Sequence, residues 1–302
     1  MRPVARETLS GFAADLGGTK IAAARIEGGA VAERLQTATD GAADPDAQVE
    51  AIGALLDRLG HRHGAPLGVA VAGRVDAAGC WHAVNRGILA AIDAVPLGEK
   101  LGRAFGGGTA LNDADSAALA EGLFGAGRES DSFAYLTVST GVGGGLVLGN
   151  RLISSGNGMA GHVGFVSSRH ASGPCGSGRR GTVESIAGGR AIAAAAAAAG
   201  QDVADARAVF AAADAGASWA ERIVDASAGA VATLIGDLAA ILGTDTVALG
   251  GSIGLAPGYL DRVGHALGAE PALFRPRLVP AALGHDAPLI GALAARLGKD
   301  TT

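Results

Sequence analysis

The chain has 302 residues, 49% hydrophobic and 18% charged, with a net charge of −5 and a pI near 5.8. That apolar fraction excludes a disordered chain and suffices for two domains of ordinary size. The acidic balance leaves no basic face for nucleic acid, and two cysteines, Cys80 and Cys175, make no disulfide framework, which fits a reducing, cytoplasmic setting. Residues 1–10 lack the apolar core of a signal peptide. The alanine run at 191–200 is too short and too weakly apolar to span a bilayer, so no membrane partner is expected.

In chain order, the apolar run 12–16 ends in Asp15-Leu16-Gly17-Gly18-Thr19-Lys20, and a second run at 21–26 precedes Gly28-Gly29. This predicts strand, glycine turn, strand. Residues 47–59 carry Val49, Ile52, Leu55, Leu56 and Leu59 at helical spacing. A buried strand follows at 67–72, a helix at 97–105, a strand at 108–111 leading into Asn112-Asp113, and a helix at 114–124. After Arg128 the pattern restarts with a strand at 133–138, a turn at 139–145 and a strand at 146–148, which suggests a duplicated domain. The alanine run reads as a helix, alanine being the best helix former. A long helix is predicted at 218–242, a strand at 246–249, a helix opened by Gly250-Gly251-Ser252 and a last helix at 287–297. Alternating strands and helices indicate α/β layers. The expected division is a smaller N-terminal domain of residues 1–115 and 287–302 and a larger one of 116–286, hinged near 113–117.

Only three lysines occur, Lys20, Lys100 and Lys299, against 21 arginines, so a lysine retained in a glycine turn is informative. Gly17 and Gly18 let backbone approach a polyphosphate, where N–H groups, the Thr19 hydroxyl and Lys20 can face the phosphates. Asp15 suits a hydrated magnesium ion. The same residues also suit an ordinary hairpin turn. A second hydroxyl- and glycine-rich turn comprises Ser139, Thr140, Gly141, Gly143 and Gly144. Neither turn fits a P-loop or a dinucleotide-binding fold. Asn112-Asp113 serves equally as a helix cap and as a carboxylate able to accept a hydroxyl proton in phosphoryl transfer. Gly251 and its neighbours suit either a nucleoside face or tight strand-to-helix packing. His162 lies between glycines; His61 and His63 sit at a helix end and read as solvated.

These elements together resemble the ROK family of sugar kinases, within the actin-like ATPase superfamily. The carriers are residues 15–20, Asn85, Asn112-Asp113, residues 139–145, Gly161-His162, residues 181–184 and residues 250–254, spanning almost the whole chain. Within the family, Ala160-Gly161-His162-Val163-Gly164 and residues 183–190, 250–259 and 285–292 are similar to the bacterial N-acetylmannosamine kinases. The resemblance implies a two-domain actin-like (ribonuclease H-like) fold with an interdomain cleft, and ATP-dependent phosphorylation of the 6-hydroxyl of N-acetylmannosamine. Glucose or N-acetylglucosamine as the sugar, or an inactive sugar-binding protein, are the alternatives. It implies Asp113 as base and Asn85, Asn112, Asp113, His162 and Glu184 around the sugar. ATP would lie on residues 15–20 and 139–144 with Gly251 at the adenosine, magnesium near Asp15, and the chain would form a homodimer. A sugar-responsive repressor of this family needs a helix-turn-helix ahead of the first strand, and no residues for one precede 12.

One stretch departs from the family pattern. Family members bind a structural zinc through a histidine and three cysteines, and those positions carry Phe165, Cys175, Ser177 and Thr182 here. A structural zinc needs four nitrogen or sulfur ligands. Even with His170 only two remain, so no zinc is expected. The loop is then expected to rest on burial of Phe165, worth about 1.5–3 kcal/mol, and to hold Glu184 more loosely.

Overall fold

The computed structural model describes residues 5–85 and 87–299. In chain order the strands are β1 (Gly11–Leu16), β2 (Lys20–Glu27), β3 (Ala30–Ala38), β4 (Leu67–Val71), β5 (Arg74–Val75), β6 (Trp81–His82), β7 (Thr109–Asn112), β8 (Ser132–Val138), β9 (Val142–Leu148), β10 (Arg151–Leu152), β11 (Thr246–Gly250) and β12 (Arg277–Pro280). The helices are α1 (Pro45–Arg58), α2 (Leu97–Phe105), α3 (Asp113–Phe124), α4 (Glu184–Ala187), α5 (Gly189–Ala198), α6 (Ala206–Asp214), α7 (Ser218–Leu242), α8 (Gly251–Gly254), α9 (Tyr259–Leu267) and α10 (Ala287–Lys299).

Local chemistry marks many of these ends. Asp44 caps α1 by accepting from Ala47 N–H at 2.9 Å, with Pro45 in the first turn, and Asp205 caps α6 through Ala208 N–H at 3.1 Å. The long helix α7 stops at Gly243, whose φ of 63° is left-handed.

Two five-stranded sheets share one strand order, β3-β2-β1-β4-β7 and β10-β9-β8-β11-β12. In the first, β2 lies antiparallel to β1 and to β3, whereas β4 is parallel to β1 and β7 to β4. In the second, β11 is parallel to β8 and β12 to β11. The repeated hairpin read in the sequence is therefore a repeated sheet topology. Strands β3 and β12 escaped the sequence reading because they are edge strands with no buried residue, so neither stands out as an apolar run. β5 and β6 are two residues each.

The chain divides into two compact units: residues up to Arg128, Gly145–Gly161 and those from Leu283, and a second of Glu129–Gly144 and His162–Ala282. The expected division was 1–115 with 287–302 and 116–286; by these bounds the N-terminal unit is the one with more residues. Helix α3 stays with the first unit because α10 packs along it and along β4. At the α3–α10 crossing a Cβ on Gly291 would lie 1.7 Å from the Ser116 carbonyl oxygen, so only glycine permits that approach. Fully buried Glu121 adds a polar tie, accepting from Ala126 N–H at 2.9 Å and Leu283 N–H at 2.7 Å.

The first core gathers β1, β2, β4, α1 and α2 around Leu16, Ile21, Ile52, Leu56, Val69 and Trp81. His61 belongs to the edge of this core rather than to solvent, correcting the sequence reading. Its ring stands edge-on to Phe12 and Phe105 at 5.0 and 5.8 Å, and burial pushes its pKa down. In the second unit α7 is the core helix. By length and mean hydropathy, 1.5, it is long and apolar enough to cross a membrane, but 56% of that window is buried, against α4, α5, α6 and α9.

Candidate functional site

In the first unit, β1 delivers Asp15 to its C-terminal end, one residue before the turn to β2. Gly17 N–H donates to the Lys20 carbonyl at 3.0 Å and Thr39 Oγ1 to the Gly17 carbonyl at 2.8 Å, so the turn is pinned while Thr19 and Lys20 stay exposed. Gly18 has a packing reason as well, since a Cβ there would fall 2.3 Å from Ile88 Cγ2.

Parallel pairing of β1 with β4 and β4 with β7 places Asn112 and Asp113 at the same end of the sheet, where β7 runs into α3. Asn112 is the helix cap: its Oδ1 accepts from Asp115 N–H at 3.0 Å. Its Nδ2 donates to the Gly73 carbonyl at 2.6 Å and to Asp113 Oδ1 at 2.9 Å. Both polar side-chain atoms of Asn112 are thus engaged, its amide holding Asp113 Oδ1, which also accepts from Ala114 N–H at 2.9 Å. Asn85 lies on the loop after β6, its Oδ1 accepting from Gly87 N–H at 3.1 Å.

The electrostatics of this end are unusual. Asp15 is pushed up to about 7, by burial first and then by the Asp113 charge, with Arg34 and Lys20 pulling the other way. Asp113 keeps some exposed surface, but its carboxyl is crowded by neighbouring atoms and burial raises it. A third carboxylate, Asp115, was missed by sequence reasoning. Burial and the Asp113 charge push it up to about 8, and its buried Oδ1 has no hydrogen-bond partner. Asp113 therefore bears on both Asp15 and Asp115, and the charges of Arg34 and Lys20 do not offset burial and Asp113 at Asp15. Such a site fits a hydrated divalent cation beside Asp15, which favours the ionised carboxylates.

In the second unit, the turn between β8 and β9 contains Ser139, Thr140 and Gly141, and Gly143 and Gly144 open β9. Ser139 N–H donates to the Gly141 carbonyl at 2.9 Å. Gly189 N–H and Arg190 N–H, at the start of α5, donate to the carbonyls of Ser139 and Thr140 at 2.8 and 3.2 Å. Ser139 Oγ lies 3.0 Å from Ser252 Oγ on α8. Gly144 lets β9 pass close to Tyr135 and Val163, where a Cβ would meet atoms at 2.7 Å. Gly251 has φ 85°, and a Cβ would sit 2.3 Å from the Val138 carbonyl, which gives strand-to-helix packing a full account of this glycine.

Glu184 opens α4 with both oxygens engaged. Oε2 accepts from Val142 N–H at 3.1 Å and Oε1 from Gly176 N–H at 2.9 Å. The short helix behind it is anchored where Ser227 Oγ reaches the Ala187 carbonyl at 3.3 Å and the Tyr259 hydroxyl at 2.7 Å. His162 stacks on Phe165 with ring centroids 5.9 Å apart.

The four positions matched to zinc ligands carry Phe165, Cys175, Ser177 and Thr182. Phe165 is half-buried and packs on His162. Hydrogen bonds also close the loop: Cys175 N–H to the Arg179 carbonyl at 2.8 Å, Gly178 N–H to the Cys175 carbonyl at 3.0 Å and Gly181 N–H to the Gly173 carbonyl at 2.9 Å. Cys175 Sγ lies 3.0 Å from Ser177 Oγ, and Arg179 reaches Ser167 Oγ at 3.0 Å. Thr182 is fully buried, pairing with Ser185. Among the described residues, no three His, Cys, Asp or Glu side chains gather to hold a metal ion.

Comparison with known proteins places this arrangement. A sequence model described as the ROK family matches residues 12–298. The N-acetylmannosamine kinase of Citrobacter koseri is 42% identical over 286 residues, 94% of this chain and 97% of that one. The bifunctional enzyme NanE/NanK of Brucella suis is 41% identical over 282 residues, 93% of this chain but 52% of that one, so this chain spans about half the length of that relative. The crystal structure of a ROK family glucokinase from Streptomyces griseus in complex with glucose and AMPPNP matches with a TM-score of 0.76 at 27% identity, covering 94% of this chain and 98% of that one.

Proposed function

Because the chain belongs to the ROK family and has the two-domain actin-like ATPase fold of its kinases, we propose that it transfers the γ-phosphoryl group of ATP to the 6-hydroxyl of an amino sugar, N-acetylmannosamine. The observation that carries the reading is Asp113, a crowded carboxylate at a strand end, fixed at Oδ1 by two N–H donors and raised by burial. The two donors leave Oδ2 to receive the hydroxyl proton, and a raised pKa makes it a stronger base than a surface aspartate. The name of the 42%-identical relative supports N-acetylmannosamine as the sugar, and the complex of the glucokinase supports ATP.

In this reading Asn112 positions the base and Asn85, His162 and Glu184 hold the sugar. The turns at Gly17, Gly18, Thr19 and Lys20 and at Ser139, Thr140, Gly141, Gly143 and Gly144 bind the ATP phosphates, with Gly251 beside the adenosine. Asp15 would hold magnesium, which when bound with ATP supplies positive charge against that developing on the phosphoryl oxygens. The two compact units act as the two lobes of the kinase. The protein works as a cytoplasmic homodimer, without a structural zinc.

A coupled assay with ATP over a panel of hexoses tests this, with greatest turnover expected on N-acetylmannosamine. Greatest turnover on glucose or N-acetylglucosamine would reassign the sugar. Sugar binding without turnover on any of them would make this an inactive sugar-binding member of the family.

A further inference from the structure

We propose that Glu184 is a positioning residue for the nucleotide turn, tying it to the former knuckle loop so that sugar and ATP bind cooperatively, an inference that rests on the kinase reading above. Its two oxygens face different segments. Oε1 holds Gly176 in the loop, and Oε2 holds Val142 at the end of the turn whose Ser139 and Thr140 would face the phosphates. Both are charge-assisted bonds to backbone N–H groups, stronger than neutral ones. The turn is built for the contact: a Cβ on Gly141 would lie 2.3 Å from Oε2, so glycine is what lets the carboxylate reach Val142.

The same segment grips the turn from its other side through Gly189 and Arg190, so residues 184–190 act as one bracket for it. The bracket is rigid because α4 is anchored to the buried Ser227–Tyr259 pair. Each carboxylate oxygen keeps a lone pair beyond the one its N–H partner uses, enough for a sugar hydroxyl. A sugar bound there fixes the carboxylate that also fixes Val142. Sugar then tightens nucleotide binding, and by linkage nucleotide tightens sugar by the same factor. The loop thereby does without metal what four ligands do elsewhere: it holds Glu184, and is held by it.

The test is calorimetry on the full chain and on Glu184→Gln, titrating a non-hydrolysable ATP analogue with and without N-acetylmannosamine. Glutamine keeps one acceptor but turns its amide against the other N–H. The variant is expected to bind the analogue alone about tenfold more weakly, the loss of one charge-assisted bond, and to lose the mutual tightening seen in the wild type. A variant that loses only sugar affinity, with analogue binding within about twofold of wild type, would overturn the proposal. If the wild type binds no nucleotide, the kinase reading fails, and amide hydrogen exchange judges the clamp separately. The Val142 and Gly176 amides are expected to exchange slowly in the wild type. Fast exchange at either overturns the clamp, and this measurement decides equally if the variant does not fold.

Discussion

Asp15, Asp113 and Asp115 in the first unit and Glu184 in the second all sit beside a turn or a helix start, yet their surroundings treat them in opposite ways. Burial raises all three, and the Asp113 charge adds to it at the other two, so that Asp15 rises to about 7 and Asp115 to about 8, and Asp115 Oδ1 stays without a partner. Glu184 has a backbone N–H on each oxygen. A carboxylate that the fold leaves under-compensated is available to take a proton or a cation. One with a donor on each oxygen is available to hold structure.

The strongest way to break this comparison is Asp113→Ala. Removing a general base lowers turnover by about 10²–10⁴-fold, while sugar binding should remain measurable by calorimetry. Turnover within tenfold of wild type would leave the under-compensated carboxylates without a catalytic role.

Gly141→Ala probes the other side. Its φ is not left-handed, so the backbone accepts alanine, but the methyl would lie 2.3 Å from Glu184 Oε2. Overpacking of this kind costs about 1–3 kcal/mol, read as a lower midpoint in thermal unfolding, together with weaker nucleotide binding. Gly17→Ala in the first turn meets only the Lys20 carbonyl, at 3.2 Å, and should cost less. Equal losses in the two variants would mean that the two turns are held alike, without help from Glu184.

Asp115→Asn sharpens the contrast through pH. Asp115 has a folded pKa of about 8 against an ordinary value of 3.8, so the folded state keeps a proton that the unfolded state releases. Its contribution to stability is whole below the unfolded value and is lost as pH rises toward 8. Asparagine cannot ionise. The variant should match the wild type near pH 4 and exceed it increasingly toward pH 8, by up to several kcal/mol, measured by urea unfolding across that range. A difference that does not grow with pH would show that the Asp115 charge is compensated.

How far each side was legible in the sequence follows from range. Asp113 was readable because a strand, a cap and a carboxylate follow one another locally, and the cap was confirmed at Asn112 Oδ1. The central strands β1, β4, β8 and β11 were readable because burial makes them apolar runs. Asp115 was not, since its burial comes from tertiary neighbours: a Cβ on Gly145 would stand 3.0 Å from its Cα. Nor was the clamp, because Glu184 and Val142 are 42 residues apart and a hydrogen bond to a backbone amide leaves no mark on the partner's side chain. The α3–α10 contact was not legible for the same reason: it depends on Gly291 and Ser116, far apart in the chain.

The smallest expected effect is the most pointed. In a working zinc knuckle each cysteine shares a metal-binding free energy of about 10–16 kcal/mol, so replacing one would be severe. Here Cys175 Sγ makes a single contact with Ser177 Oγ, and the loop is closed by backbone bonds that a side-chain change leaves in place. Cys175→Ser puts a hydroxyl where a thiol was and can keep that contact. It should shift stability by no more than about 0.5 kcal/mol, leave the protection of the Val142 and Gly176 amides intact, and leave thermal unfolding as indifferent to a chelator as in the wild type. A large loss, or a midpoint that falls when chelator is added, would show that a metal still holds this loop, and the task assigned to the Glu184 carboxylate would pass back to it.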